Sequence, residues 1–320
     1  MPTTKSELLT IADKFDKRMR LALIQAIEGL KDELTLEALL KALESGGMGG
    51  AMALVDQLDG ELRTKLLPEF QTAYLEGGRM GAQLIPAGAV LATPQFNMLD
   101  ARTIPELTNH NIQFVQNITN TTRQALLQNL RANIIAGNSP LQTARDFREA
   151  IGLTPQQELA VRNYRKALLQ GDASALTRAL RDKRSDKLIA RLAAEGKPLP
   201  EKQVNSLVER YRANWIKYRA ESIGRTEALR AVHMAQDASM NQSIESGAVD
   251  EKKLRKFWDY TKDEKTRASH RQIPGMNPGG VGPREAFKSP LGMIRYPLDP
   301  RAGAQNTIRC RCSYHYELVL

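Results

Sequence analysis

The chain has 320 residues, carries 46 Lys and Arg against 36 Asp and Glu for a formal charge of +10, and contains only two cysteines. That length can bury one large core or two smaller ones, and two thiols are too few for a disulfide framework, so synthesis in a reducing compartment is expected. The basic balance favours acidic partners, DNA foremost; the start "MPTTKSELLT" has no secretory pattern, and the most apolar stretch, Met80 to Ala92, is too short to span a bilayer and holds Pro86.

Helical spacing governs the first two-thirds. Over residues 5–44, Leu8, Ile11, Phe15, Met19, Leu23, Ile27 and Leu30 recur at the interval that predicts a helix. "ESGGMGGAM" (Glu44 to Met52) breaks the pattern, and "EGGRMGAQLIPAGAVLATPQF" (Glu76 to Phe96) reads as an irregular, partly buried connector. Ile112, Val115, Ile118, Leu126, Leu130 and Ile134 form one stripe on the next helix. Ser139, Pro140 and Gln142, then Thr154, Pro155 and Gln157, each give a helix start with a capping box. From Pro200, a helix marked by Val204, Leu207, Tyr211, Trp215, Tyr218 and Ile223 runs to about Ser246, bent near Gly224. His110 and His233 are read as ordinary helical residues without partners.

The densest basic run, Arg178 to Lys197, offers candidate DNA contacts in Arg178, Arg181, Lys183, Arg184, Lys187 and Arg191. Asp182 and Asp186 lie among them at spacings that favour pairing within a helix, so a solvated mixed-charge face is the expected role. After about Val249, short runs are punctuated by Gly and Pro, which is the pattern of a small α+β domain. The expected organisation is an N-terminal helical region with Gly-rich breaks (1–100), a helical region ending in a long helix (101–248), and a compact α+β domain (249–320). The fold class is α+β, an extended and mainly α-helical N-terminal region followed by that small domain.

Two constellations in the last region carry chemistry. If "DEKTRASH" is a short helix, Asp263, Arg267 and His270 share one face, with Asp263 capping and pairing with Arg267. Such a triad can be an acid–base or phosphate site, or a network that pins the helix. The closing "NTIRCRCSYHYELVL" alternates, with Ile308, Cys310, Cys312, Tyr314, Tyr316 and Leu318 on one face of an expected strand. There the thiols are small buried hydrophobes. Alternate strand residues sit about 6.6 Å apart, too far for a disulfide. A zinc site falls short of four ligands, with His270, Asp263 and His315 as the nearby additions and His315 alternating to the other face. No metal, no cofactor and no catalytic residue is expected. "PGMNPGGVGP" lacks the features of a phosphate loop and reads as an exposed connection.

These segments also resemble a known family. "RAESIGRTEALRAVHMAQ" (Arg219 to Gln236) is similar to the helix that precedes the conserved domain of phage Mu F-like head morphogenesis proteins. "FWDYTKDEKTRASHRQIPG" resembles that family's Trp, then Asp, Arg and His, then Gly: Trp258, Asp263, Arg267, His270 and Gly275. "EAFKSPLGMIRYPLDP" resembles its Phe, Gly and "YPxDP" elements through Phe287, Gly292, Pro297 and Asp299, and "IRCRC" stands where the family ends in "NCRC", with Cys310 and Cys312. Arg309 replaces the family's asparagine.

The resemblance implies a minor head protein of a tailed bacteriophage, in the head interior or at the portal vertex. It would act in capsid assembly, DNA packaging or genome ejection. Its partners would be the portal, major capsid or scaffolding protein, with packaged DNA nearby and no membrane. Two rivals stand beside it. One is a host-directed effector enzyme, a nuclease or ADP-ribosyltransferase carried in the virion, against which the chain shows no Glu-x-Glu, paired catalytic histidines or metal triad. The other is a non-specific DNA-binding head protein, whose affinity would fall steeply with salt.

Overall fold

A computed structural model describes residues 4–319. Eleven helices and four short strands appear among them: α1 (Thr4–Glu33), α2 (Leu36–Ala53), α3 (Gln57–Lys65), α4 (Leu67–Gln83), α5 (Thr103–Ile135), α6 (Pro140–Ala150), α7 (Pro155–Gln170), α8 (Asp186–Ala194), α9 (Glu201–Glu245), β1 (Leu254–Asp259), α10 (Ala268–Met276), β2 (Phe287–Ser289), β3 (Gly292–Ile294), α11 (Ala304–Thr307) and β4 (Ser313–Leu318). This is the α+β class, helical first and with its strands near the C-terminus. No described helix is long and apolar enough to cross a membrane.

The chain divides into two compact units, each assembled from separated stretches. The first takes the residues up to Ala22, Lys65–Gln113, and everything from Glu221. Its centre is the later half of α9, where nearly every side chain from Thr226 to Met240 is buried. A helix buried all round must satisfy its polar groups internally. Glu227 does so with His110 Nε2 at 3.1 Å and with Arg230, whose Nε donates to the Leu298 carbonyl at 2.9 Å.

Small residues let α4 lie against this part of α9. A Cβ on Gly77 would fall 2.7 Å from Val232 Cα, and one on Gly81 would fall 2.9 Å from Gln236 Cα. Glycines 77, 78 and 81 therefore sit inside a regular helix, where the sequence predicted an irregular connector; the irregular part begins only after Gln83. Gly224 plays the same part for α1, since its Cβ would fall 2.7 Å from the Asp16 carbonyl oxygen. α9 is assigned as one helix through that point.

The second unit comprises Leu23–Thr64 and Phe114–Ala220. Its core gathers Leu153, Val161, Tyr164, Leu168, Ile189, Val204, Leu207 and Tyr211. The predicted caps hold in part. Ser139 accepts from the Gln142 amide, but the Gln142 side chain turns to Asp146, so only Thr154 and Gln157 close a full capping box. The expected helix over 5–44 is two helices, because Thr35 caps a new start at Leu36. α2 in turn is kinked at Gly47, which adopts a left-handed φ of 55° inside the predicted break. Arg219 is buried, and its guanidinium donates to the Ile118 and Gly152 carbonyls and to Thr121 and Thr122.

Candidate functional site

The C-terminal part of the first unit is built on β1 and β4, paired antiparallel with Trp258 opposite Tyr314 and Lys256 opposite Tyr316. On β1, Leu254, Lys256 and Trp258 point inward. Trp258 packs edge-on against both Phe287 of β2 and His270 of α10. The two short strands β2 and β3 form a hairpin whose Gly292, at φ 108°, adopts a backbone that favours glycine. The Gly-rich loop is more than an exposed connection. Val281 bridges to Lys256, and the buried Asn277 amide donates to the Ile273 and Lys288 carbonyls while accepting the Lys288 amide.

Asp263, Arg267 and His270 do not assemble as one helical face. The helix starts only at Ala268, so Asp263 and Arg267 precede it and their side chains diverge. Asp263 pairs with Arg311, Oδ2 to Nη1 at 2.6 Å, and this partner holds its carboxyl down at about 2. Arg267 donates to the Ile308 carbonyl. Arg271 donates to the carbonyls of Asp263, Glu264 and Thr266, fixing the turn before α10.

His270 alone turns inward, toward the sulfurs. Its Nδ1 lies 3.4 Å from Cys310 Sγ and 3.4 Å from Cys312 Sγ, and all three side chains are buried. The expected strand is the reason this was not foreseen. β4 begins only at Ser313; Arg309 takes a left-handed φ of 56°, and the backbone through Cys312 is irregular. The two sulfurs therefore converge where a pleated strand would space them apart. The Cys312 amide donates to Cys310 Sγ at 3.4 Å, and hydrogen bonding from Cys312, then His270, holds the Cys310 thiol well below its ordinary range. Both cysteines are thiols. Each is only 2 % exposed.

The other motif residues differ in their surroundings. Phe287 and Pro297 are buried, whereas Gly275 is exposed with open space where a Cβ would stand. Asp299 accepts from the Arg295 and Arg301 amides and pairs with the Arg301 guanidinium, closing the "YPLDP" turn. The Arg309 amide donates to Thr226 of α9.

Sequence reasoning passed over several engaged residues. His233 is buried with Nε2 3.1 Å from the Cys312 carbonyl, and burial pushes its pKa down to about 4; His110, also buried, pairs with Glu227. Neither is the partnerless residue expected. Lys256 is fully buried, donates to the Arg295 carbonyl at 2.8 Å, and is lowered to about 8 by burial, beside the buried Asp237 and its half-buried partner Arg295. Period-two alternation along "LRKFWD" is the signal that could have placed Lys256 inside.

The basic run is not one helix. It comprises one 3-10 turn, Lys183–Ser185, and α8. Arg181 pairs with Asp186, while Arg184 and Arg210 share Asp182. Lys183, Arg184, Lys187 and Arg191 are exposed, and Arg178 is half-buried.

Taken together, fold and site define a helical protein whose small α+β module is stitched to a central helix by buried polar contacts. The family profile described as Phage Mu protein F like protein matches residues 124–315, more than half the chain, and the protein belongs to that family of phage head morphogenesis proteins. No curated protein and no solved structure matches.

Proposed function

We infer that the protein is a minor structural component of a tailed-phage head, seated in the head interior or at the portal vertex. It acts there through contacts with the portal, major capsid or scaffolding protein during assembly, packaging or genome ejection. Family membership carries this reading. The geometry supports a structural role over an enzymatic one: Asp263, Arg267, His270, Asp299 and both cysteines are engaged with one another, with Arg311, or with backbone carbonyls and amides of the same module. The local pairing of Arg181 and Arg184 favours incidental contact with packaged DNA, through Lys183, Lys187 and Arg191, over a dedicated DNA-binding surface.

Deleting the gene from the phage that encodes it, with and without the wild-type gene supplied in trans, tests the assignment. Infectious yield is expected to fall steeply while host lysis proceeds, and to return on complementation. Undiminished yield without the gene would count against a head role.

A further inference from the structure

His270 Nδ1, Cys310 Sγ and Cys312 Sγ all lie within 4.8 Å of one another. We propose that these three atoms ligate a single thiophilic d10 ion, zinc, which pins α10 to the segment entering β4. The inference is independent of the role in the head.

Edge lengths are the first argument. A tetrahedral zinc with Zn–S near 2.3 Å and Zn–N near 2.0–2.1 Å sets nitrogen and sulfur about 3.6 Å apart. Both nitrogen–sulfur separations here are 3.4 Å, within a few tenths of an ångström of that value. Two of the three edges of a coordination face are thus already near the length that zinc sets.

Lone-pair arithmetic is the second. A neutral imidazole nitrogen that accepts has one lone pair, and a protonated one has one hydrogen. Either can serve one sulfur well, yet Nδ1 stands equally far from two. An ion on the axis of that lone pair contacts both sulfurs and removes the conflict. Nε2 makes no hydrogen bond among the described residues, so the polar contacts of the ring fall on the Nδ1 side.

The chemistry of the donors selects the metal class. Two thiolates and an imidazole suit zinc and other soft or borderline ions, and do not suit magnesium or calcium. The Cys312 amide aimed at Cys310 Sγ favours the thiolate that ligation requires. Two thiolates side by side in a buried site repel each other and are costly to desolvate. A divalent ion neutralises the pair. Three described ligands leave one tetrahedral position for a small exogenous ligand such as water. Residues 270 and 310 lie 40 positions apart, so the ion closes a long loop, as a disulfide would.

The full-length chain, purified in reductant without chelator, tests the site. Elemental analysis after dialysis against zinc is expected to give about one zinc per folded chain. Cobalt substitution is expected to give a thiolate-to-cobalt charge-transfer band in the near ultraviolet. Chelation should lower the melting temperature, and zinc should restore it. Cys310→Ser and Cys312→Ser should each weaken zinc binding by about 100-fold or more, since even outer-shell losses cost 10–100-fold. Wild-type chain with native helical circular dichroism that retains no zinc and gives no cobalt band would overturn the site, whatever the variants do. So would a folded Cys310→Ala/Cys312→Ala double variant that binds as much zinc as wild type.

Discussion

Arg309 stands where the resemblance led us to expect asparagine. Its φ of 56° lies in the left-handed region, which asparagine tolerates better than most residues and β-branched residues hardly at all. That backbone geometry aims the Arg309 amide at Thr226. Arg309→Val should therefore unfold at lower denaturant than Arg309→Asn, by about 1–2 kcal/mol; equal midpoints would refute the conformational explanation. His315 gives a pH signature. Its hydrogen bond with Asp259, aided by Glu317, raises its pKa from 6.5 to about 9. A raised folded pKa stabilises fully below 6.5 and loses that contribution as pH rises through about 9. The stability gap between wild type and His315→Gln should thus be widest near pH 6 (roughly, a little below the unfolded pKa) and close by about pH 10. A gap that does not change with pH would exclude the pairing. These residues were named or visible in the sequence, but their partners were not, because Asp263 meets Arg311 and His270 meets the thiols across 40 or more positions of chain.

At the level of helices, glycine is the instructive residue. Gly77 and Gly81 look like breakers in a window of sequence, since each weakens an isolated helix. In the fold they let the backbones of α4 and α9 approach closely, a gain that only the partner helix reveals. Gly77→Val should destabilise by about 2 kcal/mol or more, since the new Cβ meets the Val232 backbone and not a movable side-chain tip. Gly275→Ala, with open space around its Cβ position, serves as the control and should differ little in midpoint. The helix starts at Pro140 and Pro155 were legible because caps are local: Ser139 and Thr154 bond to amides three residues on. The break before α10 was less legible. "DEKTRASH" has helical spacing, but Asp263 and the Arg271 clamp stabilise a turn there instead.

Across the whole molecule, the α+β class followed from a change of pattern near Val249, where helical periodicity gives way to short strands and turns. Which helices share a unit did not follow, because α1, α5 and α9 each contribute residues to both units and local periodicity carries no record of long-range pairing. The family motif was readable in order along the chain, and the profile match extends it back to Gln124. Its contacts became clear only in the fold, where the Arg309 amide and the Cys312 carbonyl tie the C-terminal module to α9 and Asp263 ties it to itself. The central claim is that this stitched module belongs to the phage particle. Quantitative mass spectrometry of purified DNA-filled virions tests it most directly. The chain should be present at a low copy number, far below the major capsid protein; its absence from particles, despite full expression in the infected cell, would contradict the account.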